Sequence, residues 1–253
     1  MTDILLLIRR ALKISLRTPA ALIPNIAISV FFLFVFNSGL SSVANLPGFK
    51  GSYLAFIIPV SIVSASVGGA GTAGQALVRD LETGYFTKLL LTPASRLSLV
   101  WGPMVAAAIL LVGQVVLILA LGLALGLKAA GGLGGLIVVL FFAFLWGMAF
   151  AGYAVAVALK TKNSAAAQAA TFAFFPLIFL STTFVPKQYI GAAWLKWAAT
   201  VNPTTYVYDA MRSLLIDGWR ARPLLIGAGV ILAFATLTGV LALRQARRAT
   251  QLG

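Results

Sequence analysis

The sequence predicts an all-α integral membrane protein with six transmembrane helices, an N-terminal amphipathic helix on the membrane surface and short helices outside the membrane before the last span. Three observations predict it. Mean hydropathy is +1.02 over 253 residues, well above that of a chain with a soluble surface. Charged residues make up only 9% of the chain and leave six windows free of Asp, Glu, Lys and Arg: 18–49, 51–78, 97–127, 129–159, 163–186 and 223–243. The shortest holds 21 residues, and roughly 20 apolar residues cross the hydrocarbon as a helix. Continuous runs such as LIVVLFFAFLWGMAFAGYAVAVAL exclude a transmembrane barrel, whose segments alternate over about 10 residues.

Residues 1–18 read as the interfacial helix. DILLLIRRALKISLR places Arg10, Lys13 and Arg17 on one face and Ile4, Ile8, Leu12 and Leu16 nearer the other, with Asp3 set to cap it. Its charges follow the apolar LLLI rather than precede it, unlike a cleavable signal. The spans are expected at about 20–44, 53–77, 97–126, 133–159, 164–185 and 223–243. With the N-terminus inside, twelve Lys and Arg fall on the cytoplasmic side and seven on the other. Five of those seven lie between Lys187 and Arg222, where a long segment weakens the positive-inside rule. Both termini are therefore expected in the cytoplasm, in a multi-pass protein of the plasma or inner membrane.

The net charge of +14 is split between both faces and forms no stripe, which argues against nucleic acid and for anionic headgroups of the lipid bilayer. No cysteine is present, so disulfides, thiolate catalysis and Cys metal sites are excluded together. GAGTAG, Gly69 to Gly74, fits a dinucleotide pattern, and GAGTAGQA approaches a P-loop with Gln75 in place of its lysine. Both lie inside an apolar span and follow no strand, so close packing of small residues is the better account, as it is for Gly122 and Gly126. The chain is expected to hold no cofactor or metal of its own.

Catalysis is disfavoured by the lack of any histidine, and Asp80 and Glu82, two apart, do not share a helix face. A Ser and Lys pair stays open. Ion-coupled transport normally places charge inside the membrane, and the six windows hold none; Asn25, Asn37, Gln114 and Gln168 read as interhelical hydrogen bonds. Any transport energy then arrives through a cytoplasmic protein contact.

The stretch RDLETGYFTKLLLTPASR, Arg79 to Arg96, carries two of the five acidic residues. It can form a short surface helix with Phe86, Leu89 and Leu90 at i, i+3 and i+4, stopped at Thr92 before Pro93, while Ser95 caps the third span. By pattern alone an ordinary solvated loop helix fits slightly better. Further on, AAWLKWAA and TTYVYDAMRSLL read as two amphipathic helices separated by Asn202 and Pro203, the second ending at Gly218. Trp194, Trp197, Tyr206 and Trp219 suit an aromatic belt, and Asp209 is expected to pair with Arg212 three residues on.

DLETGYFTKLLLTPASR resembles the cytoplasmic-loop signature of the ABC type-2 transporter permeases, with an acidic residue, a Gly and an LL-x-TP-x-SR tail in order. NPTTYVYDAMRSLL, Asn202 to Leu215, is similar to that family's NP-x-TY segment. The likeness covers essentially the whole chain, and the TPASR wording leans toward the daunorubicin-resistance type of drug exporter permease.

The resemblance implies one ABC type-2 transmembrane domain over residues 1–253, a second permease subunit, commonly identical, and a cytoplasmic ABC ATPase that holds ATP and Mg. The membrane subunit itself would not be an enzyme. The stretch at about 79–92 would be a coupling helix, with Arg79, Asp80 and Glu82 as polar contacts to the ATPase and Tyr85, Phe86 and Leu89 packing into its groove. Lys160 and Lys162 would make a second contact. Tyr85 follows Gly84 where the family often has a small residue, so this surface is individual. The segment at about 187–222 would form re-entrant helices of an extracellular gate, with Asn202, Pro203, Tyr206, Asp209 and Arg212 as candidates. Such a permease would export an amphipathic drug or lipid, or a lipid-linked polysaccharide in relatives of the same architecture; a membrane enzyme or assembly factor is the reading from another class.

Overall fold

A computed structural model of the chain describes residues 2–91 and 96–251. The expected stop at Thr92 and Pro93 and the Ser95 cap lie outside the described residues, as do the side chains of Asp3 and Leu89.

All regular structure among the described residues is helical. α1 (Thr2–Leu16) ends at an elbow where Thr18 Oγ1 donates to the Ile14 and Ser15 carbonyls. Pro19, whose missing N–H costs nothing in a first helical turn, starts α2 (Pro19–Leu40). α3 (Tyr53–Glu82) opens on Ser52, whose hydroxyl accepts from the Ala55 amide. α4 (Tyr85–Leu90), α5 (Arg96–Ala124) and α6 (Gly132–Thr161) follow, then the short α7 (Ser164–Phe172) and α8 (Phe175–Phe179), α9 (Ala193–Val201), α10 (Pro203–Arg212) and α11 (Ala221–Gln251).

α3 is the axis of the bundle. Every residue from Tyr53 to Val67 is buried, and α2, α5, α6, α7 and α10 pack around it. Between apolar helices in lipid, close van der Waals approach replaces the hydrophobic effect as the source of association. The small residues supply that approach: Gly147 of α6 sits against Leu111 and Ala108 of α5, and Gly227 of α11 lies under Ala210 of α10. The α9–α10 end is filled by aromatic and aliphatic side chains around Trp146, Phe150 and Tyr208, and the α1 end by a second cluster around Leu77, Met104 and Leu159.

Among the described residues five helices are long and apolar enough to cross a membrane: Leu22–Asn45, Tyr53–Glu82, Leu97–Ala124, Gly132–Thr161 and Ala221–Arg248. The expected continuous span at 164–185 is not one of them. It breaks after Phe172, because Pro176 lacks the N–H that would continue the α7 ladder, and again after Phe179. The broken segment still runs beside α3, from Gln75, bonded to Gln168, to Tyr53, bonded to the Phe184 carbonyl. The expected coupling helix at 79–92 is likewise divided. Arg79 to Glu82 form the last turn of α3, Thr83 and Gly84 turn the chain with Gly84 at φ 67°, and only Tyr85–Leu90 is a separate helix.

Candidate functional site

The α3–α4 corner is locked to α1. Arg10 Nη1 donates to Asp80 Oδ2 at 2.8 Å and Nη2 to Oδ1 at 2.6 Å, a bidentate pair whose guanidinium also lies 4.0 Å from the centre of the Tyr85 ring. The hydrogen bonds that Arg10 donates to Asp80, and the charge of that carboxylate, hold the Arg10 guanidinium above its ordinary pKa, against the pull of burial. Arg10 was read with Lys13 and Arg17 as a headgroup-facing cation, and the fold turns it inward to serve as the partner of Asp80. Only long-range placement, 70 residues apart in sequence, could reveal that pair.

Arg79 and Glu82 are exposed at the same corner, as is Lys88 on α4. Phe86 is not available to a partner's groove. It is 5% exposed and packs in the cluster with Leu77, Val78 and Leu99, because the Gly84 turn folds α4 back against α3. Tyr85 is half-buried by its contact with Arg10. Lys160 and Lys162 are exposed at the end of α6, where Lys162 takes a left-handed conformation at φ 50° and the Asn163 side chain caps α7 by accepting from the Ala166 amide.

At the α9–α10 end, Arg212 organises an irregular stretch. It is 6% exposed, and its Nε donates to the Phe56 carbonyl at 2.9 Å, Nη1 to Thr182 Oγ1 at 3.0 Å and Nη2 to the Thr183 carbonyl at 3.4 Å. Its guanidinium lies 3.4 Å from the Phe56 ring centre and 5.2 Å from that of Tyr208. Burial pushes the Arg212 pKa down to about 10, so it stays a cation at neutral pH. The expected Asp209–Arg212 ion pair is not formed. Asp209 lies on the exposed side of α10, and Arg212 turns to the carbonyls that the non-helical residues 180–184 leave without a ladder. Asn202 serves the same segment, donating to the Leu177 and Leu180 carbonyls at 2.6 and 2.9 Å while its oxygen caps α10 on the Thr204 amide. Pro203 is the first residue of α10, and Tyr206 reaches back to the Thr200 carbonyl at 2.6 Å. Thr182 and Thr183 were missed by sequence reasoning; a hydroxyl run interrupting an apolar window is the signal that could have found them.

Gly68, just before GAGTAG, and Gly71 within it are seats for amide side chains. A Cβ on Gly68 would collide with Asn25, and one on Gly71 with Gln168. Asn25 donates to the Ala65 carbonyl and to Gln114, Gln114 returns bonds to the Asn25 carbonyl and Ser29, and Gln75 donates to Gln168 at 2.9 Å. α3 is thus gripped by α2 on one side and α7 on the other through amide hydrogen bonds, which lipid cannot replace.

Comparison with known proteins agrees with this architecture. The chain is 26% identical over 215 residues to a chain of Cyanophora paradoxa carrying the name transport permease ycf38, covering 84% of this chain and 73% of the relative. It is 26% identical over 194 residues to the "Daunorubicin resistance ABC transporter permease protein DrrB1" of Streptomyces coeruleorubidus, covering 74% and 67%. The same identity over 194 residues holds for the "Probable doxorubicin resistance ABC transporter permease protein DrrC" of Mycobacterium tuberculosis, covering 76% and 69%. The ABC-2 type transporter family model matches residues 2–216, from α1 through the segment that Arg212 and Asn202 hold, and the chain, a multi-pass membrane protein, belongs to that family.

Proposed function

We propose that the chain is the membrane-spanning permease subunit of an ATP-binding cassette exporter, moving an amphipathic drug or lipid-like molecule outward with ATP hydrolysed, with Mg, on a separate ATPase subunit. The observation that carries it is the α3–α4 corner. Exposed Arg79 and Glu82 sit on a turn that Arg10, Asp80 and Tyr85 fasten to α1, so a push on the corner is delivered to two elements at once. On this reading the corner faces the cytoplasm with both termini, Lys160 and Lys162 flank it, and Phe86 anchors it from within. The broken segment at 164–185 makes the sixth crossing, and residues 187–222 form the extracellular gate, whose Arg212 and Asn202 hold the non-helical end of that crossing.

Two copies of the chain would enclose the pathway. α2 leaves Phe31 58% exposed, and Phe172 and Phe179 of α7 and α8 lie on the face that Phe32 joins through its contacts with Phe175 and Phe179. These rings carry no hydroxyl or indole N–H for sugar hydroxyls, which favours a flat apolar molecule, as the names of the drug-resistance relatives suggest. A wall of aromatic rings is also the feature that a lipid-linked polysaccharide exporter would use, and keeps that as the second reading.

Tagged permease co-expressed with the ATPase encoded beside its gene should carry that ATPase through purification, and proteoliposomes should extrude an anthracycline when supplied with ATP. A chain that purifies alone, with ATP hydrolysis of its neighbour unchanged by its presence, overturns the proposal.

A further inference from the structure

Beneath the elbow between α1 and α2, two cavities share a wall at Leu22 and Thr72 and run down the side of α3. The outer one, about 230 Å³, is the more polar of the two: Ser15, Thr18, Thr72, Gln75 and Arg79 line it beside Ile14, Ala20 and Ala76. The inner one, about 250 Å³, is walled by Leu16, Ile26, Leu110 and Leu117 beside Gly69, and its amides, Asn25 and Gln114, spend their hydrogen bonds on each other and on Ser29 and Ala65. Arg79 is 10 residues from Gly69, the deepest α3 residue that lines either cavity, or about 15 Å at the helical rise. That is half of a hydrocarbon core about 30 Å thick, the depth of one leaflet.

A polar compartment at a helix end that opens into an apolar one of leaflet depth has the form of a lipid. The polar groups define its headgroup. Thr18 Oγ1 and Thr72 Oγ1 already donate to backbone carbonyls, and Gln75 Nε2 donates to Gln168, so these three side chains offer oxygen acceptors to the cavity. Arg79 brings the cation, while Arg9, Lys13 and Arg17 line a different face of α1. An anionic phosphate whose headgroup ends in neutral hydroxyl donors satisfies both. A choline headgroup offers no donor, and an ammonium headgroup adds a second cation beside Arg79.

We infer that this crevice binds one phosphatidylglycerol molecule per chain, its phosphate on Arg79, its glycerol hydroxyls on Thr18, Thr72 and Gln75, and an acyl chain between Leu22, Ile26 and Leu117. The leaflet assigned to it rests on the cytoplasmic placing of α1 proposed above; the binding itself does not require transport or an ATPase.

The test is native mass spectrometry of the chain purified without ATPase in an equimolar mixture of phosphatidylglycerol, phosphatidylethanolamine and phosphatidylcholine. One phosphatidylglycerol per chain should be retained in preference to the other two. Arg79→Gln should lower the phosphatidylglycerol-to-phosphatidylcholine ratio about fivefold, the worth of one basic residue at a lipid surface. Thr72→Phe should abolish retention of any lipid, and Leu110→Trp, placed in the inner cavity alone, gives the same answer if Thr72→Phe does not fold. Equal retention of the three lipids by the unsubstituted chain, or full retention by folded Thr72→Phe or Leu110→Trp, overturns the inference. Either result leaves the exporter reading standing, because that reading is tested by ATPase co-purification.

Discussion

Replacing Asp80 by Asn keeps the shape of the side chain and removes the charge that grips Arg10. Two charge-assisted hydrogen bonds, of 2.8 and 2.6 Å, are weakened at once. A hydrogen bond to a charged group contributes about 1.5–3 kcal/mol, whereas an exposed ion pair contributes only about 0.2–1 kcal/mol. The Asp80 side chain is 13% exposed and that of Arg10 33%, which puts the pair between these limits once solvent screening is allowed for. A double-mutant cycle of Asp80→Asn and Arg10→Met should therefore return about 1–2 kcal/mol of coupling. The assay is equilibrium unfolding of the purified chain in mixed micelles, followed by ATP hydrolysis and transport with the partner ATPase. With either single variant the ATPase should still hydrolyse ATP while less is transported per ATP, since the corner then moves without carrying α1. Arg10→Lys should not restore coupling, because an ammonium cannot make the two-pronged contact. A coupling energy below about 0.3 kcal/mol, or an unchanged ratio of transport to hydrolysis in both single variants, would refute the clamp.

Phe86→Asp and Glu82→Ala, equivalent by sequence pattern, should now behave differently. The first buries a carboxylate in an apolar cluster and should destabilise the fold by at least about 3 kcal/mol, read as loss of the monodisperse peak in detergent. Glu82→Ala changes an exposed side chain, so stability should stay within about 0.5 kcal/mol while stimulation of the ATPase falls. Gly71→Ala places a methyl group on the Gln168 amide, an overpacking cost of about 1–3 kcal/mol, and adding Gln168→Ala should restore stability in a melting experiment; no rescue would mean that the amide does not occupy that seat. Arg212→Met strips donors from the Phe56 and Thr183 carbonyls and should cost about 2–4 kcal/mol, whereas Asp209→Asn should be nearly silent; equal effects would restore the ion pair that the fold rejects.

The helical class, the order of the elements and the weak charge of the membrane interior were legible because they follow from composition along one dimension. Gly218 as a terminator, the break at Asn202 and Pro203 and the amides of Asn25, Gln114 and Gln168 as interhelical bonds were legible too, since each is a local preference of a residue type. The window at 164–185 misled because apolar composition permits a helix without requiring one. There Pro176 and the run Ser181, Thr182 and Thr183 broke the ladder, and the lost bonds were made up by Arg212 and Asn202 from another part of the chain.

The stretch from Arg79 to Leu91 shows the same division. Its acids and its Gly were evident, yet which acid stays exposed and which meets Arg10 depends on α1 arriving beside α3. Sequence alone determined that this protein crosses a membrane many times and that charge concentrates at few places in it, because burying charge in lipid is costly wherever it falls. Tertiary structure decided what each of those charges does. Asp80 and Arg212 are spent inside the fold, and Arg79 and Glu82 remain outside it, since hydrogen bonding and burial are set by neighbours that only the folded chain supplies.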